Sequence, residues 1–525
     1  MRTPRRPAGL LRASLSFGSM TLLSRIAGFV RDWLQATTFG TGPAVSAFVV
    51  AYRIPNYLRR IFAEGSFASA FVPVLSELRE RGDRAAIQDF LDHVAGALLA
   101  VVLVVTGVGW LAAPWIARGF LALASGEDAI PVALTAEMLR ITFPYLVFIS
   151  MTALAGGVLN SFRHFGLPAF TPVLHNLTLI AAIAFGAEWF ALPEMVLAWG
   201  VSLAGLLQLG LLWPALGRLG LRPRLRLQAS HPGVRRVFRL MLPTLFSSSV
   251  SQFNLLVGTI FASMLVAQAQ AWLYYSDRLV ELPLGLFGVA IGTVVLPHLS
   301  GRHAADDGAG YGASLDWGLR TVLLLGLPAA VGLGLLAEPI CATLFQYDAF
   351  RVEDVRMTAA AVSAMCVGVP AFMLSKVLLA AFYARQDTRT PMRAAVATVA
   401  ANIVLTVALV LPLWHAGVAA AHAGIALATA LAGVFNAALL WRALSRSGRY
   451  VPQPGWTAYL LRLVSATSAM GAVVMAVRAE AGLWSAMPAA GRVLWLGIVV
   501  ASGAVTFGAV LMLAGWRPRT LRSPG

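Results

Sequence analysis

Apolar runs about twenty residues long follow one another from residue 14 almost to the C-terminus, and each is long enough to cross a bilayer as a helix. In hydrocarbon every backbone polar group has to be satisfied internally, which leaves helices or a closed barrel. The strand-like alternation of apolar and polar residues that a barrel needs is absent, so the runs predict helices. Composition agrees. The 525 residues are 58% hydrophobic and 12% charged, whereas a soluble chain of this size carries about 25% charged residues. The expected fold class is all-α, a polytopic membrane protein of fourteen helices. Their predicted bounds are 14–38, 44–76, 91–117, 131–158, 168–187, 191–216, 237–266, 272–300, 316–341, 357–384, 391–412, 417–443, 457–478 and 489–515. Pro55 and Pro73 punctuate the second span, and Pro283 and Pro297 the eighth, so both are expected to bend or break.

The formal net charge of +17 is carried almost wholly by arginine, with Lys376 the single lysine. Such an excess can mark nucleic-acid binding, but here it sits in short loops between alternate apolar runs. Arg79, Arg81 and Arg84 form one group, Arg163 stands alone, and a third group runs from Arg218 to Arg236. Further groups are Arg385, Arg389 and Arg393; Arg442, Arg446 and Arg449; and Arg517, Arg519 and Arg522. This is the positive-inside pattern, with both termini cytoplasmic and no nucleic-acid partner. The N-terminal MRTPRRPAGLLRAS leads into an apolar run broken by Arg25 and Arg31 without a small-residue cleavage site, and reads as an uncleaved first helix. Cys341 and Cys366 lie in apolar segments and predict neither a disulfide framework nor a metal site. No Walker A lysine is present, and no His/Cys/Asp spacing predicts a metal enzyme. The expectation is therefore no cofactor and no metal, with any transport driven by the membrane potential, by the gradient of an ion such as a monovalent cation, or by downstream consumption of the product.

Motifs recur at a nearly constant offset. FVPVLSEL at 71–78 resembles VLPHLSGR at 295–302, placing Pro73 against Pro297; LAAPWI resembles LAEPIC, placing Pro114 against Pro339; Pro144 pairs with Pro370 and Pro168 with Pro391. The four offsets lie between about 223 and 226, in order along the chain. They predict an N-lobe, 1–216, with helices one to six and a C-lobe, 237–443, with helices seven to twelve. A basic cytoplasmic linker, 217–236, joins them, and 444–525 holds helices thirteen and fourteen with a basic tail. An even number of helices per lobe makes the repeats parallel, an arrangement suited to alternating access about a central cavity. Gly288 and Gly292 in GLFGVAIG have small-xxx-small spacing, read first as routine packing.

The charges inside these helices point to chemistry. An arginine at a helix centre costs roughly 3 kcal/mol to insert unless it faces water or a counter-charge. Arg25, Arg31, Arg53, Arg59 and Arg60 all fall within the first two spans. Arg25 and Asp32 are seven apart and share a face, with Arg31 about a third of a turn away; a snorkelling Arg31 near an interface is the competing structural reading. Arg53, Asn56 and Arg60 form a stripe flanked by Arg59, and Arg59 or Arg60 can instead pair with Glu64 at the end of a half-helix. Asp277, Arg278 and Glu281 either neutralise one another or hold Arg278 as an anion ligand contributed by the second lobe. Lys376 ligates an anion or pairs internally; Glu137, Arg140, His175 and Glu338 read as structural. Arginine stays charged and grips phosphate oxygens in a bidentate way, so a phosphate-bearing substrate fits this excess. An exporter of cations would need unpaired carboxylates instead.

These same residues carry a family resemblance. SRIAGFVRD, RIPNYLRRIFAEGSFASAFVPVL, YYSDRLVELPLGLFGVAIGTVVLPHLS, LFQY, FYARQDTRTP and PQPGW resemble the MurJ (MviN) lipid II flippases of bacterial cell-wall synthesis, within the multidrug/oligosaccharidyl-lipid/polysaccharide exporter superfamily. The resemblance runs over nearly the whole chain. It implies a fourteen-helix protein of the inner (cytoplasmic) membrane that is a transporter and not an enzyme. The lipid tail would lie along the terminal helix pair, with lipid II and membrane lipids as partners and peptidoglycan synthases as candidate ones. By motif, the family's cavity arginines fall on Arg25, Arg31, Arg59 and Arg278, the acid after the second on Asp32, and the basic residue before the Pro-Asn pair on Arg53; Asp277 and Glu281 support Arg278. Many members carry an aspartate where this chain has Ser46. The resemblance also implies dependence on membrane potential, with a sodium site in some members. Rival readings are a flippase for O-antigen or teichoic precursors, a membrane glycosyltransferase using the mixed-charge loop 347–356, and a non-transporting division scaffold.

Overall fold

The computed structural model describes residues 8–60, 66–124, 129–228, 230–285, 289–448, 450–478 and 481–517, with side chains from residue 18 and not those of 66, 243–254, 289–294 and 481–482. Glu64 and Gly288, and with them the Arg60–Glu64 pair and the small-xxx-small contact, lie outside the described residues, as does the side-chain surround of Gly292. The chain forms two compact units, Met1–Gln270 and Ala271–Gly525.

The first unit holds α1 (Ala8–Phe39), α2 (Pro43–Arg59), α3 (Ser66–Arg81), α4 (Arg84–Phe120), α5 (Val132–Thr142), α6 (Tyr145–Ser161), α7 (Gly166–Gly186), α8 (Met195–Arg218) and α9 (Pro232–Ser263). The second holds α10 (Ala269–Pro283, begun in the first unit), α11 (Val289–Ala304), α12 (Gly308–Leu335), α13 (Ala337–Phe345), α14 (Val352–Cys366), α15 (Val369–Tyr383), α16 (Arg389–His415), α17 (Ala423–Arg446), α18 (Trp456–Val477), α19 (Ala481–Ala486) and α20 (Ala489–Leu513). Every predicted span falls on a helix or a helix pair. Among the described residues nine helical segments are long and apolar enough to cross a membrane, or ten if α14 and α15, bent by 44°, make one.

The second and eighth spans are described as α2 with α3 and α10 with α11, and the segments joining them, 61–65 and 286–288, lie outside the described residues; Pro55, Pro73 and Pro297 sit inside their helices and Pro283 is the last residue of α10. Three breaks were not predicted: α5/α6 at Phe143–Pro144, α12/α13 at Leu336, and α14/α15 just before Pro370. Pro144 is the N-cap of α6 and Pro370 sits in the first turn of α15, where a missing N–H does no harm.

Local geometry repeats at the spacing of the sequence motifs. Gly82 and Asp306, 224 positions apart, both have positive φ and close the turn after a helix, with Gly82 N–H on Arg79 O and Asp306 N–H on His303 O. Asp83 and Asp307 follow them as side-chain caps of α4 and α12. At a spacing of 223, Arg163 and Gln386 take positive φ, while His164 N–H reaches Leu159 O and Asp387 N–H reaches Phe382 O, the six-to-one bond of a Schellman ending.

Asp92 and Asp316 repeat the pattern deeper in α4 and α12, at 3% and 4% exposure. Each receives the extended connector that leaves α8 or α17. Arg224 N–H donates to Asp92 Oδ1 at 2.8 Å, and Gln453 N–H to Asp316 Oδ1 at 3.2 Å. Asp316 also accepts from Tyr450 Oη at 2.8 Å and Trp456 Nε1 at 2.6 Å, and pairs with Arg320 at 2.7 Å. The PQPGW segment is thereby fixed to α12, and Arg320 lies 5.0 Å over the Trp456 ring.

The core of the first unit interleaves α3, α4, α6, α8 and α9 around Phe71, Phe90, Leu91, Leu98 and Leu154, with the Phe71 and Phe90 rings stacked at 5.7 Å. Helix α9, assigned to the C-lobe by the repeat, packs here on α3 and α4. In the second unit α18 and α20 pack on each other and on α12 through Leu463, Met470, Val474 and Val499.

Candidate functional site

In the first unit the arginines of α1 and α2 are held by polar groups from neighbouring helices. Arg31 donates from Nε and Nη2 to Asp32 Oδ1 at 3.1 and 2.6 Å, and from Nη1 to Asn176 Oδ1 at 2.9 Å. Asn176, on α7, donates from Nδ2 to Ser24 O at 3.0 Å. One amide thus joins two turns of α1 around Gly28, where a Cβ would come within 3.4 Å of that nitrogen. Asp32 is 4% exposed. A carboxylate that far from water needs a partner held in place, and Arg31 supplies it with several hydrogen bonds and no rotamer freedom to spare. Arg31 is therefore oriented by α1 and α7 together and does not snorkel outward.

His175, beside Asn176, is buried, with its ring 5.7 Å from Tyr145. Arg31 and Arg59 both lie within electrostatic reach of it. The two arginines stand 28 residues apart on different helices, and each is held by an amide, Arg31 by Asn176 and Arg59 by Asn56. Arg59 Nε donates to Asn56 Oδ1 at 3.0 Å, so the flanking arginine of the predicted stripe is the one that pairs with Asn56. Pro55 sits inside α2 without ending it.

Arg53 turns to α9. Its Nη1 donates to Thr259 Oγ1 and, at 3.0 Å, to Gln270 Oε1, while Gln270 Nε2 donates to Thr259 O at 2.6 Å. Arg25 stands exposed on α1, with no hydrogen bond or ion pair to a described residue. Ser46 is fully buried in α2, and its hydroxyl has no partner among the described residues.

In the second unit Arg278 donates to Glu281 Oε2 at 2.8 Å and lies 4.9 Å over the Tyr274 ring. Asp277 is half-buried next to it, whereas Glu281 is exposed. Lys376 Nζ donates to Leu284 O at 3.2 Å. Arg140 packs over Trp110, and Glu338 faces Arg356 at 4.0 Å. In the loop 347–356, Asp354 is consumed structurally, accepting from Trp272 Nε1 at 2.8 Å and from Arg351 N–H at 2.9 Å.

Sequence reasoning passed over Asn176, Thr259 and Gln270 and set His175 aside as structural. A signal was present for the first pair. An adjacent His and Asn inside an apolar run, VLHNLTL, is as costly to bury as a lone arginine's partners are useful. Nothing in the local sequence marks Thr259 and Gln270, which matter only because Arg53 folds against them.

Comparison with known proteins gives this arrangement a family. Residues 35–489 match the family model described as "Lipid II flippase MurJ". The chain is 38% identical over 514 residues to a protein of Haemophilus influenzae named "Probable lipid II flippase MurJ", covering 96% of this chain and 99% of that one. It is 41% identical over 465 residues to "Lipid II flippase MurJ" of Burkholderia cenocepacia, covering 87% and 88%. Among solved structures, a MurJ in an inward closed conformation superposes with a TM-score of 0.79 at 24% identity over 95% of this chain and 98% of the other. An inward-facing MATE transporter of the MOP superfamily superposes at 0.62 with 16% identity over 81% and 95%, a likeness of fold. With a match that spans most of its length and relatives this similar end to end, the chain belongs to the MurJ family.

Proposed function

We propose that this protein is a lipid II flippase, a transporter and not an enzyme, moving the precursor across the cytoplasmic membrane for peptidoglycan synthesis. The observation that carries the reading is end-to-end similarity to relatives bearing that name. The chemistry agrees with it. A pyrophosphate needs guanidiniums that are fixed and partly shielded from water, and Arg31, held by Asp32 and Asn176, and Arg59, held by Asn56, supply two such groups. Asp32 and Asn176 orient Arg31. Arg53 assists capture or gating, and Arg25 in the first unit and Arg278 in the second, propped by Glu281 and flanked by Asp277, are further anion ligands in this reading. Ser46 is buried in α2 and contributes no charge.

The polypeptide crosses the membrane fourteen times in this reading, as two six-helix lobes and a terminal pair, with both termini cytoplasmic. Transport runs on the membrane potential or a monovalent cation gradient, and a synthase that polymerises the exported precursor is the partner class. The glycosyltransferase reading is not favoured, because the relatives similar over most of the chain are named as flippases, and in loop 347–356 Asp354 is engaged by Trp272 and Arg351.

The test is lipid II translocation in proteoliposomes under an imposed voltage. Arg31→Ala, Arg59→Ala and Arg278→Ala are each expected to abolish most transport. Full activity in Arg31→Ala and Arg278→Ala would remove the anion-site assignment, and translocation of an O-antigen precursor in preference to lipid II would remove the substrate.

A further inference from the structure

The connector between α8 and α9 lies along one face of α4. Gln88 and Arg222 exchange hydrogen bonds through Gln88 Nε2 to Arg222 O (2.8 Å) and Arg222 N–H to Gln88 Oε1 (3.3 Å). One turn on, Asp92 takes Arg224 N–H on Oδ1 and Arg226 N–H on its backbone oxygen at 3.0 Å. The next turn presents Gly96, where a Cβ would overlap the Arg226 carbonyl. Where this connector enters α9, Asp89 and His93 of α4 meet His231, the N-cap of α9. Each of the three offers one ligand atom, and these lie within 4.8 Å of one another.

We propose that Asp89, His93 and His231 form a binding site for a divalent transition-metal ion of the zinc class. Two imidazoles and a carboxylate are a donor set that such ions favour over calcium or magnesium. The distances suit it. Tetrahedral coordination at about 2.0–2.1 Å places neighbouring ligand atoms roughly 3.3 Å apart. In the structure Asp89 Oδ2 lies 3.0 Å from His231 Nε2, and Asp89 Oδ1 lies 3.4 Å from His93 Nδ1.

The surroundings set the tautomers. His231 Nδ1 accepts Gly233 N–H at 3.2 Å, so the neutral ring carries its proton on Nε2, the atom facing Asp89, and a metal ion replaces that proton. His93 Nδ1 also lies 2.8 Å from Asp89 O, so binding through Nδ1 exchanges that bond for the ion and leaves the ring proton on Nε2. The two rings are stacked at 4.4 Å, so binding turns one of them about Cβ–Cγ, a soft torsion. Asp89 is half-exposed and opens the site to exchange, whereas His93 is buried. Arg226 approaches Asp89 only to 3.9 Å and has Asp92 as an alternative partner at 3.8 Å. No spacing in the sequence announces the cluster, because His231 stands 142 positions from Asp89. Its occupation would clamp the start of α9 to α4.

The experiment uses metal-stripped, full-length protein purified without a histidine tag, titrated with Zn²⁺ by calorimetry and with Co²⁺ by visible absorption. One equivalent of each is expected, with intense d–d bands for four-coordinate Co²⁺. His231→Ala and His93→Ala are expected to abolish both signals, and Asp89→Asn, which preserves the packing, to weaken binding by tenfold or more. Arg226→Ala is expected to bind as tightly as the parent or tighter. Absence of binding in the parent, octahedral Co²⁺ spectra, or equal binding in folded Asp89→Asn and His231→Ala would overturn the proposal.

Discussion

The Arg31 guanidinium and the Asn176 amide, 145 positions apart in sequence, meet at 2.9 Å, and the same amide reaches Ser24 O at 3.0 Å. Removing the amide takes one charge-assisted hydrogen bond from Arg31, worth about 1.5–3 kcal/mol when the group left behind is charged and poorly hydrated. Asn176→Ala is expected to lower lipid II transport tenfold or more while Asp32 still pairs with Arg31. Transport and thermal unfolding measured on the same preparation separate two roles. Lower melting with unchanged transport would make Asn176 a staple between α1 and α7 and nothing more.

Asp316 is the point on which the α17–α18 connector hangs. Asp316→Ala leaves Arg320 without its carboxylate and strips an acceptor from Tyr450, Trp456 and the Gln453 N–H. Breaking a buried pair from one side costs about 3–5 kcal/mol. The variant is expected to melt well below the parent, with tryptophan emission from the PQPGW region shifting red before global unfolding. Coincident transitions in both proteins would contradict a separate anchoring role.

What was legible in the sequence was whatever is periodic or intrinsically costly. Apolar runs set the helices, whereas Pro55, Pro73 and Pro297 sit inside helices and Pro283 is the last residue of α10, so proline there did not locate a break among the described residues. The break before Pro370 escaped because the run 357–384 stays apolar throughout, and hydropathy carries no record of direction. Arginine in a helix announced Arg31 and Arg59, but could not announce what holds them. Asn176 and Gln270 are neutral, and their importance is a matter of which helix faces which. Arg492 makes the converse point. It is an arginine at the start of an apolar run, yet it is 8% exposed and spends its donors on the carbonyls of Ala342, Gln346, Ser485 and Met487. The same residue type closes helix ends in one place and pairs with a buried acid and an amide in another, and only the partners distinguish them.

Gly96 bears the connector's backbone. Gly96→Ala puts a methyl group into the Arg226 carbonyl, and backbone cannot swing aside as a side-chain end can. The connector is expected to lift from α4, losing the bonds from Arg224 and Arg226 to Asp92. Limited trypsin digestion should then cut after Arg222, Arg224 or Arg226 several times faster than in the parent. An unchanged cleavage rate would show that α4 itself gives way.

Asp387 closes the loop before α16 by accepting Thr390 Oγ1 at 2.7 Å and the N–H groups of Arg389 and Thr390 at 3.1 Å each. Burial pushes its carboxyl up, but the bonds from Thr390 and Arg389 outweigh that and hold it below the ordinary 3.8. Because the folded value is depressed, the stabilisation is complete above the unfolded value and is lost as pH falls through the folded one. Asp387→Ala is expected to cost about 1 kcal/mol at pH 7. The melting gap between parent and variant should narrow below pH 3.8 and vanish in stronger acid. A gap that persists there would mean the residue acts through shape and not through charge.

Ser46, where the family resemblance leads one to expect an acid, is sealed in α2 at 0% exposure with no partner for its hydroxyl among the described residues. Its neighbours Val45, Ala47 and Phe48 are buried too. A buried hydroxyl without a partner costs about 1–3 kcal/mol in desolvation, so Ser46→Ala is expected to be neutral or to raise the melting temperature, with lipid II transport unchanged. Ser46→Asp places a charge in the same apolar pocket. It either stays protonated or drags water and backbone with it, and the expected result is a loss of several kcal/mol or failure to accumulate in the membrane. A functional Ser46→Asp protein with the parent's stability would mean that an arginine can reach this position. Arg31, Arg53 and Arg59 would each then have to be tested as its partner, by removing one at a time in the Ser46→Asp background and asking which loss the aspartate no longer tolerates.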